Sequence, residues 1–398
     1  MLAIDLKERL LDLTLHLSNV IGPRAAASRA DDRALRLIRE GFEGAGLEPR
    51  IEEFPFTGYE AEYWRLSVDG LEFPSVPCVA SLPARDLAPA PVVDVGYGTE
   101  EELGNVKDRI ILARVGRIHE SFKAEKAAER GAVGMILFLE DDPWGIYTGR
   151  LRYPLGSIPA IAVSRADGLR LSRASAAGDL KARIEIDAHT WEARGKNLLA
   201  TLRGRGEEFL AATAHRDSRP QSPGANDNAS GSVVLLELAR ALSGQRPDRS
   251  IVFFSTDAEE YGLRGSLGYV EAHRDGMNRC VANLNLDSVG QGGVVVMERD
   301  RAGLLSEPLN RLVVDVARGR GLEVGQRSSQ NGSDCDAFMA AGVPAAWIRG
   351  WPSTSFNSTT DTFDKLDYEL MARIVGLGSA VLVGLSDPGK WVRPAASS

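Results

Sequence analysis

The chain has 398 residues, 43% hydrophobic and 26% charged, with a formal net charge of −8. That is ordinary globular composition, enough for two or three domains with a sizeable core. The acidic balance, with arginines scattered among the acids, argues against nucleic acid and anionic membrane surfaces as partners.

Cys78, Cys280 and Cys335 are widely spaced, odd in number and without a CxxC. A disulfide framework is not expected, and a reducing, cytoplasmic location is. The N-terminal stretch MLAIDLKERLLDLTLHL carries Asp5, Glu8 and Asp12 inside its apolar pattern, unlike the uncharged core of a signal peptide. No apolar run is read as approaching the ~18 residues of a membrane span.

In chain order, residues 4–18 and 31–46 have helical periodicity, with Leu6, Leu10, Leu13 and Leu17 on one face and Gly46 ending the second helix. Residues 47–54 read as a strand. From about 60 to 190 proline is frequent and strands look short. This stretch contains its own strand–helix–strand unit over 109–115, 119–130 and 132–139, which predicts a separate inserted domain. From Lys196 strands alternate with helices. Strands are expected at 197–202, 209–215, 250–256, 281–287, 293–297 and 343–349. Helices are expected at 231–242, 308–318, 334–341 and 368–385. The fold class is therefore α/β, a mostly parallel central sheet with helices on both faces, plus a β-rich insert. The domains are 1–60 with 190–398, and 61–189. Beyond the short RPAASS tail there is no low-complexity tract.

Chemistry is expected at the carboxyl ends of strands in such a sheet. The stretch FLAATAHRDSRPQSPGANDNASG (209–231) ends an apolar strand in His215, passes Asp217, and reaches Asp227 before the next helix. SIVFFSTDAEE (250–260) delivers Glu259 and Glu260, and VANLNLDSVG (281–290) delivers Asp287. Each has an ordinary explanation taken singly: a helix cap, solvated surface acids, a turn. Together they place one imidazole and several carboxylates on one sheet edge, which is the donor set of a divalent-metal site. The acids would repel one another, and a cation relieves that repulsion.

HRDS (215–218), GANDNASG (224–231), DAEEYGLRGS (257–266) and NLDSVG (285–290) resemble the ordered motifs of the co-catalytic zinc aminopeptidases, a family that also holds glutamate carboxypeptidases and glutaminyl cyclases. NGSDCDAF with AGVP (331–344) and FNSTTDTFDKLD (356–367) resemble its later motifs, and residues 60–190 resemble the protease-associated domain often inserted in it. The resemblance implies that Asp227 bridges two metals, with His215 and Asp287 completing one shell and Glu260 binding the other ion. It implies Glu259 as the base that takes a proton from a metal-activated water, and Asp217 as the carboxylate that orients His215.

One segment departs from the pattern. The family's last ligand is a histidine, usually after tyrosine and before an Asp-Thr pair. Here the segment reads Phe356-Asn357-Ser358-Thr359-Thr360-Asp361-Thr362, and His273 is the last histidine in the chain. Asn357 could offer an amide oxygen, a weak ligand or none, and Phe356 lacks the hydroxyl that helps hold an oxyanion. The remaining oxygen-rich set suits manganese as well as zinc, with one ion or a labile second. Arg216 stands where an aromatic residue is common. Arg349 is a candidate to bind a substrate carboxylate, against the alternative of a surface arginine.

Three functions are compatible with these residues. The first is an aminopeptidase releasing N-terminal residues from short peptides. The second is an aminohydrolase removing an amine from a small aromatic acid such as 5-nitroanthranilate, resembling 5-nitroanthranilic acid aminohydrolase. The third is an inactive, metal-free binding protein of the same family. A small-molecule or short-peptide substrate is expected, and homo-oligomer formation is left open.

Overall fold

The structure is a computed structural model that describes residues 2–140, 145–178, 180–300, 303–304, 306–329 and 332–394. Of the stretches singled out from sequence, Met1, residues 141–144 and 179 of the insert, Asn331 and residues 395–398 of the tail lie outside the described residues.

Four strands form the parallel heart of the central sheet, in the spatial order Ala345–Trp351, Cys280–Leu286, Phe209–His215 and Ser250–Thr256. Antiparallel strands flank it: Lys181–Leu202 beside Ser250–Thr256, and Gly293–Asp300 beside Ala345–Trp351. The sheet is thus parallel at its centre and mixed at its margins. Its central strands read as near-continuous apolar runs because both faces are covered. Leu210, Ala212, Ile251 and Phe253 pack into a core with helices Leu2–Leu15, Arg29–Gly44, Gly231–Leu242, Glu307–Gly319 and Tyr368–Ser386. The alternate residues Ala211, Val252 and Phe254 face Tyr269 and Phe338 on helices Arg264–Ala272 and Cys335–Ala340.

The strand expected at 47–54 is the start of a much longer one. Pro49–Val68 pairs antiparallel with Lys181–Leu202 from Pro49↔Ala200 to Val68↔Ala182, shifting register once between Ala61 and Tyr63. This ribbon runs out of the central sheet into a second one, where Ala182 pairs with Ala90. There Ala90–Asp94, Ile110–Arg114, Gly134–Phe138 and Ala160–Val163 lie parallel. Helix Arg165–Ala177 packs Leu171 on one face of this sheet, and Glu120–Glu129 packs Ala124 and Ala127 on the other.

The reading that no segment is long and apolar enough to span a membrane needs correcting. Helix Tyr368–Ser386 passes that test by length and composition, with a mean hydropathy of 1.5. Its apolarity has a different cause: Met371, Ile374, Leu377, Val381 and Leu385 are buried in the main core. Cys78, Cys280 and Cys335 are buried.

Candidate metal centre

Register assembles the first half of the site. Thr213 pairs with Asn285 in neighbouring parallel strands, so His215 and Asp287, two residues further along each, emerge abreast. Asp227 arrives from the irregular turn Ala225–Ser230, not from the helix proper, which begins at Gly231. The Asp361 carboxylate fixes that turn by accepting the backbone N–H groups of Asn226 (2.9 Å) and Asp227 (3.0 Å). Gly224 enters it at φ +60°, and a Cβ there would lie 2.5 Å from the Ser218 Cβ and 2.6 Å from the Asp227 carbonyl oxygen, so only glycine fits.

Glu259 and Glu260 follow Ala258, a non-glycine residue at φ +55°. A left-handed alanine costs on the order of 1–2 kcal/mol. The offsetting interaction is the Asp217 carboxylate, which accepts the N–H of Glu259 and that of Glu260, each at 3.2 Å. Arg216 braces the turn from behind, its Nη2 2.9 Å from Asp31 Oδ2 and 2.8 Å from Asp257 Oδ2. All three of these groups are buried, so Arg216 is a structural cation rather than a cleft residue.

His215, Asp227 and Asp287 each offer one ligand atom, and these atoms lie within 4.8 Å of one another. His215 Nε2 is 3.1 Å from Asp227 Oδ1 and 3.7 Å from Asp287 Oδ1, buried and without a hydrogen bond. Nitrogen and oxygens converge on a point rather than pairing, and one imidazole with two carboxylates fits a divalent metal ion. Ser333 Oγ donates to Asp287 Oδ2 at 2.7 Å, and Ser288 Oγ donates to Asp287 Oδ1 at 3.0 Å. Burial disfavours the Asp287 anion, yet the His215 ring beside it and Ser333 hold its pKa down, to about 2. Burial likewise opposes charge on His215, but Asp217, Asp227 and Asp287 outweigh it and raise the imidazole well above its ordinary value. A proton there answers the same negative field that a metal ion would.

The expected hold of Asp217 on His215 takes a different form. The His215 ring nitrogen Nδ1 lies 3.1 Å from the Asp217 backbone oxygen, while the carboxylate, 3.5 Å away, is directed at the Glu259–Glu260 turn.

The second half is built differently. Glu260 joins no three-residue metal-ligand cluster among the described residues. Its Oε2 accepts Arg219 Nε at 2.8 Å, and its Oε1 is buried without a partner. Asn357 is buried at φ +50°, and its backbone oxygen accepts the Thr148 N–H (2.7 Å) and hydroxyl (2.9 Å). Thr359 and Ile146 add two more bonds, each 3.0 Å, so the inserted domain is stitched to the segment that carries Phe356 and Asn357. His119 and Arg150 of the insert line the pocket that holds Asp227, Glu259, Glu260 and Asp287. Burial comes first in pushing the Glu259 carboxyl well above its usual range, with the Glu260 charge adding to it against His215.

Arg349 is not a surface residue. It is 4% exposed, its Nε has no hydrogen-bond partner, and its guanidinium stacks 4.5 Å from the Phe356 ring centre, with Trp347 and Trp351 at 5.5 and 5.7 Å. It lines the metal pocket and also a neighbouring cavity of about 310 Å³ shared with Arg117, His119 and Arg327.

Sequence reasoning overlooked Arg219, Arg150, His119, Ser333 and the bonding role of Asp361. Arg219 had one visible signal, a second arginine in HRDSR directly after the strand. His119 and Arg150 had none, because their place at the cleft depends on how the insert docks.

Residues 197–381 match the peptidase family M28, and residues 79–171 match the PA domain. The chain is 29% identical to the aminopeptidase YwaD of Bacillus subtilis over 280 residues, covering 69% of this chain and 60% of that protein. It thus spans less than two thirds of the length of the curated relatives it matches most strongly. Among solved structures it resembles the aminopeptidase of Aneurinibacillus sp. strain AM-1 at 26% identity and TM-score 0.71, over 98% of this chain and 96% of that one. It also resembles a zinc aminopeptidase of Bacillus subtilis at 25% identity and TM-score 0.77, over 94% of each chain. Residues 197–381 thus belong to peptidase family M28, and residues 79–171, which lie between strands Pro49–Val68 and Lys181–Leu202, to the PA domain family.

Proposed function

We propose that the chain is a metal-dependent aminopeptidase that releases N-terminal residues from short peptides. The observation that carries this reading is the buried Glu259 carboxyl, facing the same pocket as Asp227 and Asp287 beside His215. His215, Asp227 and Asp287 are the proposed ligands. A divalent ion held by them would polarise the scissile carbonyl and acidify a water. Glu259 is the proposed base, placed to take that proton and return it to the leaving amine. Asp217 keeps Glu259 in place through the backbone of its turn. Zinc is the proposed ion, as in the similar Bacillus subtilis enzyme, and the two carboxylates admit manganese as well.

Arg349 is proposed to receive a carboxylate on the substrate. A buried guanidinium held among aromatic rings, with its Nε lacking a hydrogen-bond partner, is a preorganised anion site. The neighbouring cavity of about 310 Å³ is at the small end for a ligand pocket, which suits a di- or tripeptide.

The test is a screen of the zinc- and manganese-loaded protein on aminoacyl arylamides, dipeptides and amino-substituted aromatic acids. Aminoacyl cleavage that disappears on N-acetylation of the substrate is expected. Ammonia released from aromatic acids instead would replace this reading with the aminohydrolase. Activity on nothing, with no metal bound, would leave a binding protein.

A further inference from the structure

We propose that Arg219 supplies the positive charge of the second metal position, so that the protein binds a single ion, at His215, Asp227 and Asp287. This rests on the metal-dependent reading above and refines its centre. The resemblance assigns the second position to Asp227, Glu260 and residue 357. Asp227 is shared with the first position. Residue 357 is an amide, not an imidazole. Glu260 would have to supply most of the attraction, and although its Oε1 is unpartnered, its Oε2 accepts from the Arg219 guanidinium at 2.8 Å, which offsets the charge of the carboxylate.

Arg219 is permanently charged and 4% exposed. It is locked from three further directions: Nη1 donates to the Thr148 carbonyl, the Glu120 carboxylate lies 4.0 Å away, and the guanidinium rests 5.6 Å from the Tyr147 ring centre. Glu120 is itself pinned by the Tyr147 hydroxyl (3.0 Å) and the Arg150 N–H (2.9 Å). The cation therefore cannot swing aside without taking the hydrogen bond from buried Glu260 and breaking its own bond to the Thr148 carbonyl. A divalent ion on Glu260 would sit close to this fixed charge, in a pocket where like charges are weakly screened.

Asp287 in the first position makes the contrast. Its direct supports, apart from His215, are the Ser288 and Ser333 hydroxyls. Neutral donors orient a carboxylate and leave its charge available to a metal. A guanidinium orients a carboxylate and cancels it. The donor set of the second position thus does not fit a second ion, and Arg219 acts as a positioning residue that holds Glu260 without one.

Metal content after dialysis and calorimetric titration with zinc and manganese test this on the full chain. One ion per chain is expected. Glu260→Gln should change the affinity of that ion by less than about threefold, because the amide oxygen still accepts from Arg219. Asn357→His alone should leave the stoichiometry at one, and Arg219→Met with Asn357→His should raise it to two. Two ions in the wild type, or loss of one ion in Glu260→Gln, would overturn the proposal. The Glu260→Gln and wild-type arms decide even if the Arg219 variant does not fold. Stoichiometry is independent of turnover. One ion without peptidase activity would sink the functional reading alone, and two ions with activity would sink this one alone.

Discussion

The two halves of the metal centre differ in what carries them. His215 and Asp287 stand at the ends of adjacent parallel strands in the middle of the sheet. Glu260 and Asn357 lie in loops, and their surroundings include Thr148, Tyr147 and Glu120 from the insert. The first half is thus a property of the α/β fold itself, and the second exists only where two domains meet. Ligands on strands are held more precisely than ligands on loops. The same acid chemistry takes on different roles because different elements support it.

The sharpest way to break this comparison is to remove the imidazole. His215→Ala should lower metal affinity by more than ~100-fold, beyond the 10–100-fold typical of losing a mere supporting contact; calorimetry giving a smaller loss would mean the ion sits elsewhere. Glu259→Gln should cost at least ~100-fold in turnover with metal affinity nearly unchanged, since a positioned base contributes that much or more. Steady-state rates near wild type would remove it as the base. Ser333→Ala should weaken metal binding about 10-fold through Asp287, the lower end of what such supports contribute. A titration matching wild type would mean the hydroxyl does not set that carboxylate. Arg349→Met should raise KM by about 10-fold for substrates bearing a carboxylate and leave uncharged arylamides alone, as one charge-assisted hydrogen bond is worth roughly 1.5–3 kcal/mol. An equal effect on both would assign Arg349 to packing. The smallest effect concerns the seam. Thr148→Val removes one hydroxyl bond to the Asn357 carbonyl and should cost about 1 kcal/mol of stability, seen in thermal unfolding, while metal affinity stays at the wild-type value. A drop in affinity would show that the halves are coupled.

The legible parts of this protein were those written in local pattern. Apolar runs gave the central strands, and the residues ending them gave His215 and Asp287, because a strand's end is marked within a few residues. Asp227 and Glu259 were legible as acids in the right order, but not the left-handed Ala258 that shapes one turn or the two Asp361 bonds that hold the other. Those contacts join residues more than a hundred positions apart. In sequence the ribbon of Pro49–Val68 with Lys181–Leu202 reads as two short strands at its base, 47–54 and 197–202, since residues 60–65 and 189–192 are largely exposed and the periodicity there is diluted. Arg219 was passed over because its meaning comes from Glu120, Tyr147 and Thr148, which only the docked insert brings near.

That ribbon also bears on how the chain folds. The insert leaves and returns on antiparallel neighbours, and Gly58 and Trp191 are directly paired. Paired residues in such a ladder are about 4.5–5.5 Å apart, so a tight turn could replace everything between them, and closure entropy grows only logarithmically with what is placed there. Pro49 and Ala200 pair across the whole insert, and contacts so distant in sequence form late unless something draws their flanks together. The insert, whose sheet joins residues near one another in the chain, can do so by folding first and closing the ribbon like a zip. Pulse-labelled hydrogen exchange should therefore protect Ile110–Arg114 and Gly134–Phe138 before Phe209–His215; the opposite order would mean the central sheet forms without help from its guest.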